Sequence, residues 1–404
     1  MEHQVVLLVG LRGGAPLLLL QKAEKHPVAI PGCAELPAVQ LVPPDRLLIG
    51  WGVPGRRDGF LHIVGHAALL HLKTAGLKPQ KGIGRPRLMV QRQAAGAVSY
   101  THLDVYKRQP FNCSTPVVYY NKTVFDAAGV TEFPTTFEGI TEAAQQVAES
   151  NSSITPVGMY AYGYALDQMV INMGGYVINN ENGRADRATE VAYQDQIIQI
   201  YNWIKDLQDQ GLLLNYGSDE TNTISGFTQQ QVGMFIASSA SCRNVIDSAT
   251  DFEVGVANLP VPEGTEPEGV YGGGGALCVA TGLSEEVEAG VMEFFTYATS
   301  PEVQATWAVS TGYFPICNGA YDTDTLKTSY EEMPQLQVAA DQLLNSNVNS
   351  ITAGPLLSQL PQLRTDLQTA LEAVFNGSDV ESAVAQAVES TNSAIASANQ
   401  GVAE

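Results

Sequence analysis

The charge of this 404-residue chain reverses sign at one point, and its histidines end at the same point. Residues 1–109 hold 14 Lys and Arg against 6 Asp and Glu, a net charge of +8, and all six histidines. Residues 110–404 hold 7 cations and 36 acids, a net charge of −29, and no histidine. Two natural domains can differ in charge, but the simultaneous loss of every histidine is harder to explain in that way. We therefore expect two parts of different origin.

Residues 1–109 mix Leu, Gly, Pro and Arg without a sustained period of two or 3.6 residues. The start of the chain is not a secretory signal, because an acid follows Met1 and Arg12 interrupts a short apolar run. The segment ends in AVSYTHLDVYKRQ, which is similar to a peptide that recurs at broken gene ends in assembled environmental DNA. We interpret residues 1–109 as a chimeric or mistranslated, non-native segment, with a genuine basic domain as the alternative. On the first interpretation the native signal peptide is absent from the chain.

The composition of the whole chain argues against several functional classes. A net charge of −21 argues against nucleic acid as a partner, because phosphate binding needs clustered Lys and Arg. The sequence contains no run of about 18 apolar residues, so it predicts no membrane-spanning helix. The five cysteines are widely spaced and form no CxxC pair, which supports neither a zinc site nor a disulfide framework. We therefore expect no metal and no cofactor.

Residues 110–404 have the alternating strand and helix patterns of a globular protein. Val117–Tyr120 and Val232–Ser238 are predicted strands, rich in β-branched and aromatic residues. Thr135-x-x-Glu138 predicts a capping box at the start of a helix, and a second box begins at Ser378. The alternation predicts an α/β protein with largely parallel sheets.

Several motifs of this part form an ordered set: PFNxSTPVxYYN, a strand ending in ASS, a glycine run, SPExxxxW, TGYxPI and PQLR. In this order they resemble the extracellular solute-binding proteins of ABC importers, in the family-1 group that binds sugars and polyol phosphates. The resemblance implies a two-lobed, periplasmic-binding-protein-like (type II) α/β fold with an incomplete first lobe. It assigns residues 110–270 mainly to lobe two, 271–315 to a return into lobe one, and 316–404 to helices that pack mainly on lobe two.

The resemblance also implies ligand contacts for five residues of this chain: Ser114, Ser238, Gly274, Tyr313 and Arg364. The family places a further tyrosine and glutamate in the part of lobe one that has no counterpart here. It also expects a tryptophan near the start of lobe two, and the correspondence with Tyr160, Tyr162 or Tyr164 stays open.

Arg364 is the candidate that the residues themselves support best. It follows Pro361 at the start of a predicted helix, where the helix dipole disfavours a cation. Its planar guanidinium suits bidentate binding of a phosphate or carboxylate, with an ordinary salt bridge as the alternative. Tyr313 is equally explained as a core residue, and the two serines as turn residues that cap the backbone. Gly272–Gly275 lacks the lysine of a phosphate loop and does not predict nucleotide binding.

The resemblance implies a solute-binding component of an ABC importer and not an enzyme. It implies a monomer that captures sn-glycerol-3-phosphate or a related glycerophosphodiester and delivers it to the permease. The implied location is periplasmic or extracellular, either free or anchored to the membrane by a lipid. There are two alternatives. The first is a binding protein for a neutral sugar or oligosaccharide, which the negative net charge slightly favours over an anionic ligand. The second is a non-transport surface protein. An enzyme would depend on carboxylates such as Asp167, Glu286 or Glu372, which show no pairing in the sequence.

Overall fold

The computed structural model describes residues 108–279 and 283–401, together with four strands in the first 61 residues. The chain divides into two compact units. Unit 1 comprises residues 1–89, 102–111 and 275–300, and unit 2 comprises residues 90–101, 112–274 and 301–404. The interpretation of residues 1–109 as non-native lies largely outside the described residues. None of the described helices combines the length and apolar character needed to cross a membrane.

The described part of unit 1 contains three antiparallel strand pairs and one helix. The pairs are β1 (Val5–Val9) with β2 (Leu17–Gln21), β3 (Ile49–Val53) with β4 (Arg56–Leu61), and β5 (Arg108–Pro110) with β11 (Ala276–Cys278). Helix α8 (Glu285–Ala298) begins after Ser284, whose side chain accepts a hydrogen bond from the Val287 amide. It buries Phe294, Phe295 and Ala298 on one face.

Unit 2 is organised around a five-stranded sheet in the order β10-β6-β9-β7-β8. Its strands are β6 (Pro116–Asn121), β7 (Thr155–Met159), β8 (Leu213–Asn215), β9 (Val232–Ser238) and β10 (Val254–Ala257). Strand β9 has the bounds expected from the sequence, and every residue in it is buried. The prediction of largely parallel pairing is wrong: β6 runs antiparallel to both β10 and β9, whereas β7 runs parallel to β9 and β8. The sheet is therefore mixed.

The helices of unit 2 follow the sheet strands in sequence and, after residue 300, form the C-terminal part of the unit. They are α1 (Lys122–Ala127), α2 (Phe137–Ser150), α3 (Gly163–Asn172), the single turn α4 (Asn179–Gly183), α5 (Gln194–Asp209), α6 (Glu220–Thr228), α7 (Cys242–Ser248), α9 (Pro301–Thr311), α10 (Asp324–Glu332), α11 (Val338–Leu344), α12 (Leu360–Phe375) and α13 (Val380–Gln400).

Two predicted helix caps are wrong by one residue. Helix α2 is capped by Thr136 and not Thr135, because the Thr136 side chain accepts a hydrogen bond from the amide three residues later at 3.1 Å. Helix α13 is capped in the same way by Asp379 and not Ser378, at 2.9 Å. Each site offers two adjacent side chains that are able to cap, and burial of Phe137 as the first residue of α2 favours the later one.

The turn α4 has an unusual backbone. Its three consecutive residues ending at Asn182 have φ of 54 to 55°, a left-handed conformation that L-residues rarely adopt in succession. The buried Asn182 side chain accepts hydrogen bonds from the amides of Val177 at 2.9 Å and Ile178 at 3.2 Å. Its Nδ2 donates to the carbonyl oxygens of Ser350 and Ile351, each at 3.2 Å. The turn is therefore fastened to a loop far along the chain.

The main core of unit 2 lies where α2, α3, α5, α12 and α13 pack together with the sheet. Trp203 of α5 stacks on Phe137 of α2, with ring centroids 4.4 Å apart and planes 7° from parallel. The buried Tyr201 hydroxyl donates to the Leu367 carbonyl of α12 at 2.6 Å across 166 residues of sequence. Each large side chain buried here contributes about 1.5–3 kcal/mol to the free energy of unfolding. Because α12 and α13 supply several of these side chains, the C-terminal helices are an integral part of this core. The lobe boundaries at residues 110, 271 and 316 stay a prediction.

Candidate functional site

Arg364 is the fifth residue of α12, near the start of the helix as the sequence predicts, and is held by two neighbours. Its Nε donates to Oδ2 of Asp167 at 2.7 Å, and its Nη2 donates to the Tyr271 hydroxyl at 2.7 Å. The Tyr271 hydroxyl in turn donates to Oδ1 of Asp167 at 2.8 Å. The three side chains form a closed ring of hydrogen bonds within unit 2.

The aromatic ring of Tyr164 packs against the Arg364 side of this hydrogen-bonded ring. The Arg364 guanidinium carbon lies 4.8 Å from the centroid of the Tyr164 ring, within the range of a cation–π contact. The Tyr164 hydroxyl donates to the Ser114 carbonyl oxygen at 3.1 Å. Of the three tyrosines considered for the expected tryptophan, Tyr164 is thus the one that contacts Arg364, whereas Tyr160 and Tyr162 stack on each other at 5.1 Å.

The local sequence explains why these groups meet. Tyr164 and Asp167 are three residues apart in α3 and so lie on one face of the helix. The next residue, Gln168, fixes the backbone of Tyr271 from both sides: its Oε1 accepts from the Tyr271 amide at 3.0 Å and its Nε2 donates to the Tyr271 carbonyl at 2.6 Å. The close approach of α3 to α12 requires Gly163, since a Cβ there would lie 2.6 Å from both Cβ and the carbonyl oxygen of Arg364.

Burial and pairing oppose each other at this cluster. Burial is the largest single effect on Arg364 and would lower its pKa, but the charge and hydrogen bond of Asp167 together with Tyr271 and Tyr164 outweigh burial and raise that pKa, so the guanidinium stays charged. Burial raises the pKa of Asp167, and the charge and hydrogen bond of Arg364 oppose that effect. Burial also raises the pKa of Tyr271 and of Tyr164, so both phenols are neutral at neutral pH.

Arg364 differs from Asp167 in access to solvent. The Asp167 side chain is fully buried, whereas 29% of the Arg364 side chain is exposed. No described residue accepts a hydrogen bond from Nη1 of Arg364. Because a guanidinium carries five N–H donors in a planar fork, this end can donate to an anionic or hydroxyl oxygen of a ligand. The salt bridge considered from the sequence exists, and it leaves this capacity in place.

Ser114 and Gly274 lie beside the Tyr164 hydroxyl. Ser114 forms an isolated β-bridge with Gly273, with backbone hydrogen bonds of 3.0 and 2.8 Å. Gly274 has φ of +135°, and a Cβ there would lie 2.1 Å from the Asn112 carbonyl oxygen, so only glycine fits. Gly274 is exposed and Ser114 is buried.

Ser238 and Tyr313 lie on neighbouring segments. Ser238 ends β9, and its Oγ accepts a hydrogen bond from the Ala240 amide at 3.2 Å, the capping role left open by the sequence. Tyr313 is buried, and the next residue, Phe314, donates its amide to the Cys113 carbonyl at 2.9 Å. The structure thus brings the Ser114, Gly274 and Tyr313 segments together around residues 112–114. Tyr164 links them to Arg364.

Sequence reasoning did not identify Asp167 or Tyr271 as part of this cluster. The available signal was an acid inside a helix whose other residues are mostly apolar, and every residue of α3 is buried. Such an acid needs a paired cation, and the 110–404 segment offers few. Tyr271 gave no comparable signal, because it precedes the glycine run in an irregular segment.

Comparison with known proteins defines the class. A family model described as bacterial extracellular solute-binding protein matches residues 92–335. The chain belongs to this family of bacterial extracellular solute-binding proteins.

Individual relatives carry a more specific name. The sn-glycerol-3-phosphate-binding periplasmic protein UgpB of Yersinia pseudotuberculosis serotype I (strain IP32953) is 32% identical over 278 residues, 67% of this chain and 62% of that protein. The protein of the same name from Rhizobium meliloti (strain 1021) is 30% identical over 297 residues, 72% of this chain and 68% of that protein. The match thus spans less than two thirds of the Yersinia relative.

Solved structures share the fold. The GacH receptor of Streptomyces glaucescens GLA.O, solved unliganded and with acarbose, matches with a TM-score of 0.61 at 20% identity over 78% of this chain and 76% of that one. UgpB from Mycobacterium tuberculosis in complex with glycerophosphocholine matches with a TM-score of 0.60 at 20% identity over 73% and 72%. The predicted family and the periplasmic-binding-protein-like α/β fold are confirmed. The names of these proteins fit the expectation of a binding protein and not an enzyme.

Proposed function

We propose that this protein is the solute-binding component of an ABC importer and that it captures sn-glycerol-3-phosphate or a related glycerophosphodiester outside the cytoplasmic membrane. The observation that carries the proposal is the partly exposed Arg364, whose guanidinium is fixed on one edge by Asp167 and Tyr271. A fixed guanidinium with free donors is suited to a phosphate group. The names of the curated relatives support the same ligand class.

The remaining proposed contacts are uncharged. Ser114, Ser238 and Tyr313 supply hydroxyl groups, and Gly274 allows a ligand to approach the backbone closely because it has no side chain. A micromolar dissociation constant corresponds to about 8 kcal/mol. Hydrogen bonds to charged groups contribute about 1.5–3 kcal/mol each, so one guanidinium–phosphate contact and several neutral donors approach this total. The ligand is bound without chemical change and passed to a membrane permease.

The experiment is titration calorimetry of the protein with sn-glycerol-3-phosphate and with glycerophosphocholine. Arg364→Ala is expected to weaken binding by about tenfold to 150-fold, the equivalent of one charged hydrogen bond of about 1.5–3 kcal/mol. Arg243→Ala is the matched control, since Arg243 forms an exposed pair with Asp247 in α7. Unchanged affinity in Arg364→Ala, or an equal loss in the control, contradicts the role of Arg364.

A neutral sugar or oligosaccharide is the second candidate ligand. It is favoured by the Asp167 carboxylate, which cancels the charge of Arg364, and by the net charge of −29 over residues 110–404. Titration with maltose and with glycerol at the same concentrations separates the two candidates. A protein that gives no heat and no thermal shift with any of these probes would instead support a non-transport surface role.

A further inference from the structure

The fully buried carboxylate of Asp167 directly faces the group proposed to bind phosphate. We propose that Asp167 is a positioning residue that also sets the charge preference of the site, so that a dianionic phosphate gains little affinity over a singly charged ligand group. This inference rests on the proposed function and specifies how the affinity of the site depends on the charge of the ligand.

The positioning role follows from how the donors of Arg364 are used. The Asp167 carboxylate accepts a hydrogen bond from Nε at 2.7 Å, and the Tyr271 hydroxyl accepts one from Nη2 at 2.7 Å. The Tyr271 hydroxyl also donates to Asp167 at 2.8 Å. One edge of the guanidinium is therefore occupied within the protein. The Nη1 end remains for a ligand, and its direction is set by Asp167, which is buried in α3.

The charge preference follows from the groups around Arg364. The titratable groups that face it are Asp167, Tyr271 and Tyr164, and Tyr164 is in turn influenced by Cys113. Burial raises the pKa of the two phenols and raises that of the Cys113 thiol to about 12, so all three are uncharged at pH 8. The cluster then holds one positive and one negative charge and has no net charge.

A site of this kind gains little from a second ligand charge. The attraction of Arg364 and the repulsion of Asp167 both double when a monoanion becomes a dianion. With an effective dielectric constant of about 20 and a separation of about 7 Å, removing the Asp167 charge changes the dianion-to-monoanion affinity ratio by more than about tenfold. An ordinary loss of fold or packing would weaken both ligands equally and leave the ratio unchanged.

The test compares two ligands at pH 8.0 by titration calorimetry. sn-Glycerol-3-phosphate is a dianion there, because the second pKa of a phosphate monoester is about 6, and its methyl phosphodiester is a monoanion. The wild-type protein is expected to bind the diester and the monoester with affinities within tenfold of each other. Asp167→Asn keeps an oxygen to accept from Nε without the charge, and it is expected to shift the ratio at least tenfold toward the monoester.

Asp366→Asn is the matched control. Asp366 is also a buried carboxylate and lies on α12 with Arg364, but it accepts hydrogen bonds from the neutral side chains Gln362, Ser390 and Thr391. The dianion-to-monoanion affinity ratio of Asp366→Asn should equal that of the wild type. If Asp167→Asn does not fold, Asp167→Ser, which also removes the charge and keeps an acceptor, replaces it with the same expected shift.

The outcomes separate the two proposals. If the wild type binds neither phosphate ligand, the proposed function and this inference are both overturned. If it binds them but prefers the dianion by more than tenfold, or if the variants leave the ratio unchanged, only the role of Asp167 is overturned.

Discussion

The contact between α3 and α12 at Gly163 gives the sharpest stability prediction. An alanine Cβ at this position would lie 2.6 Å from Cβ and from the carbonyl oxygen of Arg364. Ordinary carbon contacts begin near 3.5 Å, so the two helices must separate by close to 1 Å. The atoms in the way belong largely to the backbone of α12 and cannot turn aside as a flexible side chain would.

Overpacking of this kind costs about 1–3 kcal/mol, and the higher helix propensity of alanine returns at most about 1 kcal/mol. We expect Gly163→Ala to lower the free energy of unfolding by about 1–2 kcal/mol. With a urea m-value of about 3 kcal/mol per molar, the midpoint falls by about half a molar. Arg364 moves with its helix, so binding of a phosphate ligand weakens in the same variant.

Urea unfolding followed by tryptophan fluorescence measures this effect, since Trp203 is stacked in the core of the same unit. Gly401→Ala is the control: Gly401 follows α13 as its C-cap with φ of −81°, and the nearest contact of a Cβ there would be an ordinary 3.6 Å. Equal midpoints for the two alanine variants would refute the steric argument.

Two further predictions concern other buried groups. Asn182→Ala is expected to lose about 3–4 kcal/mol in thermal or urea unfolding, because four hydrogen bonds disappear and alanine tolerates the left-handed backbone poorly. Asn182→Gly should recover about 1 kcal/mol of this; equal stability of the two variants would contradict the backbone part. Burial raises the pKa of Cys242 to about 12, so an unfolded chain, with a thiol pKa near 8.5, loses this proton first as the pH rises. The contribution of the Cys242 thiol to the free energy of unfolding is therefore fully present below about pH 8.5 and falls by about 1.4 kcal/mol per pH unit toward pH 12. In urea unfolding between pH 8.5 and 10.5, the midpoint of Cys242→Ala should fall less steeply with pH than that of the wild type.

Local elements were predictable where the residue pattern itself determines them. Strand Val232–Ser238 has the predicted bounds because a continuous apolar run between polar residues is buried on both faces. Helix α5 ends as predicted before Gly211, whose φ of +71° suits glycine. The pairing of β6 was not predictable, because strand direction depends on how distant segments return to the sheet and not on their periodicity.

The site was predictable in part. The position of Arg364 near the start of α12 followed from Pro361 and the helical pattern. Its partner was not, because Asp167 lies 197 residues earlier and only the packing of α3 against α12 brings the two together. The roles of Ser114, Ser238, Gly274, Tyr313 and Arg364 toward a ligand stay predictions that calorimetry has to test.

The order of the chain through unit 2 has a consequence for biosynthesis. Residues 112–274 supply the sheet, but a hydrogen bond from Gln342 to the Pro116 carbonyl and another from Tyr201 to Leu367 join it to the last hundred residues. On the ribosome, the sheet and α5 emerge well before the helices that cover them. The nascent chain therefore passes through a stage with uncovered apolar faces, which favours aggregation. Its yield in a cell should depend on chaperones that protect this stage until translation ends.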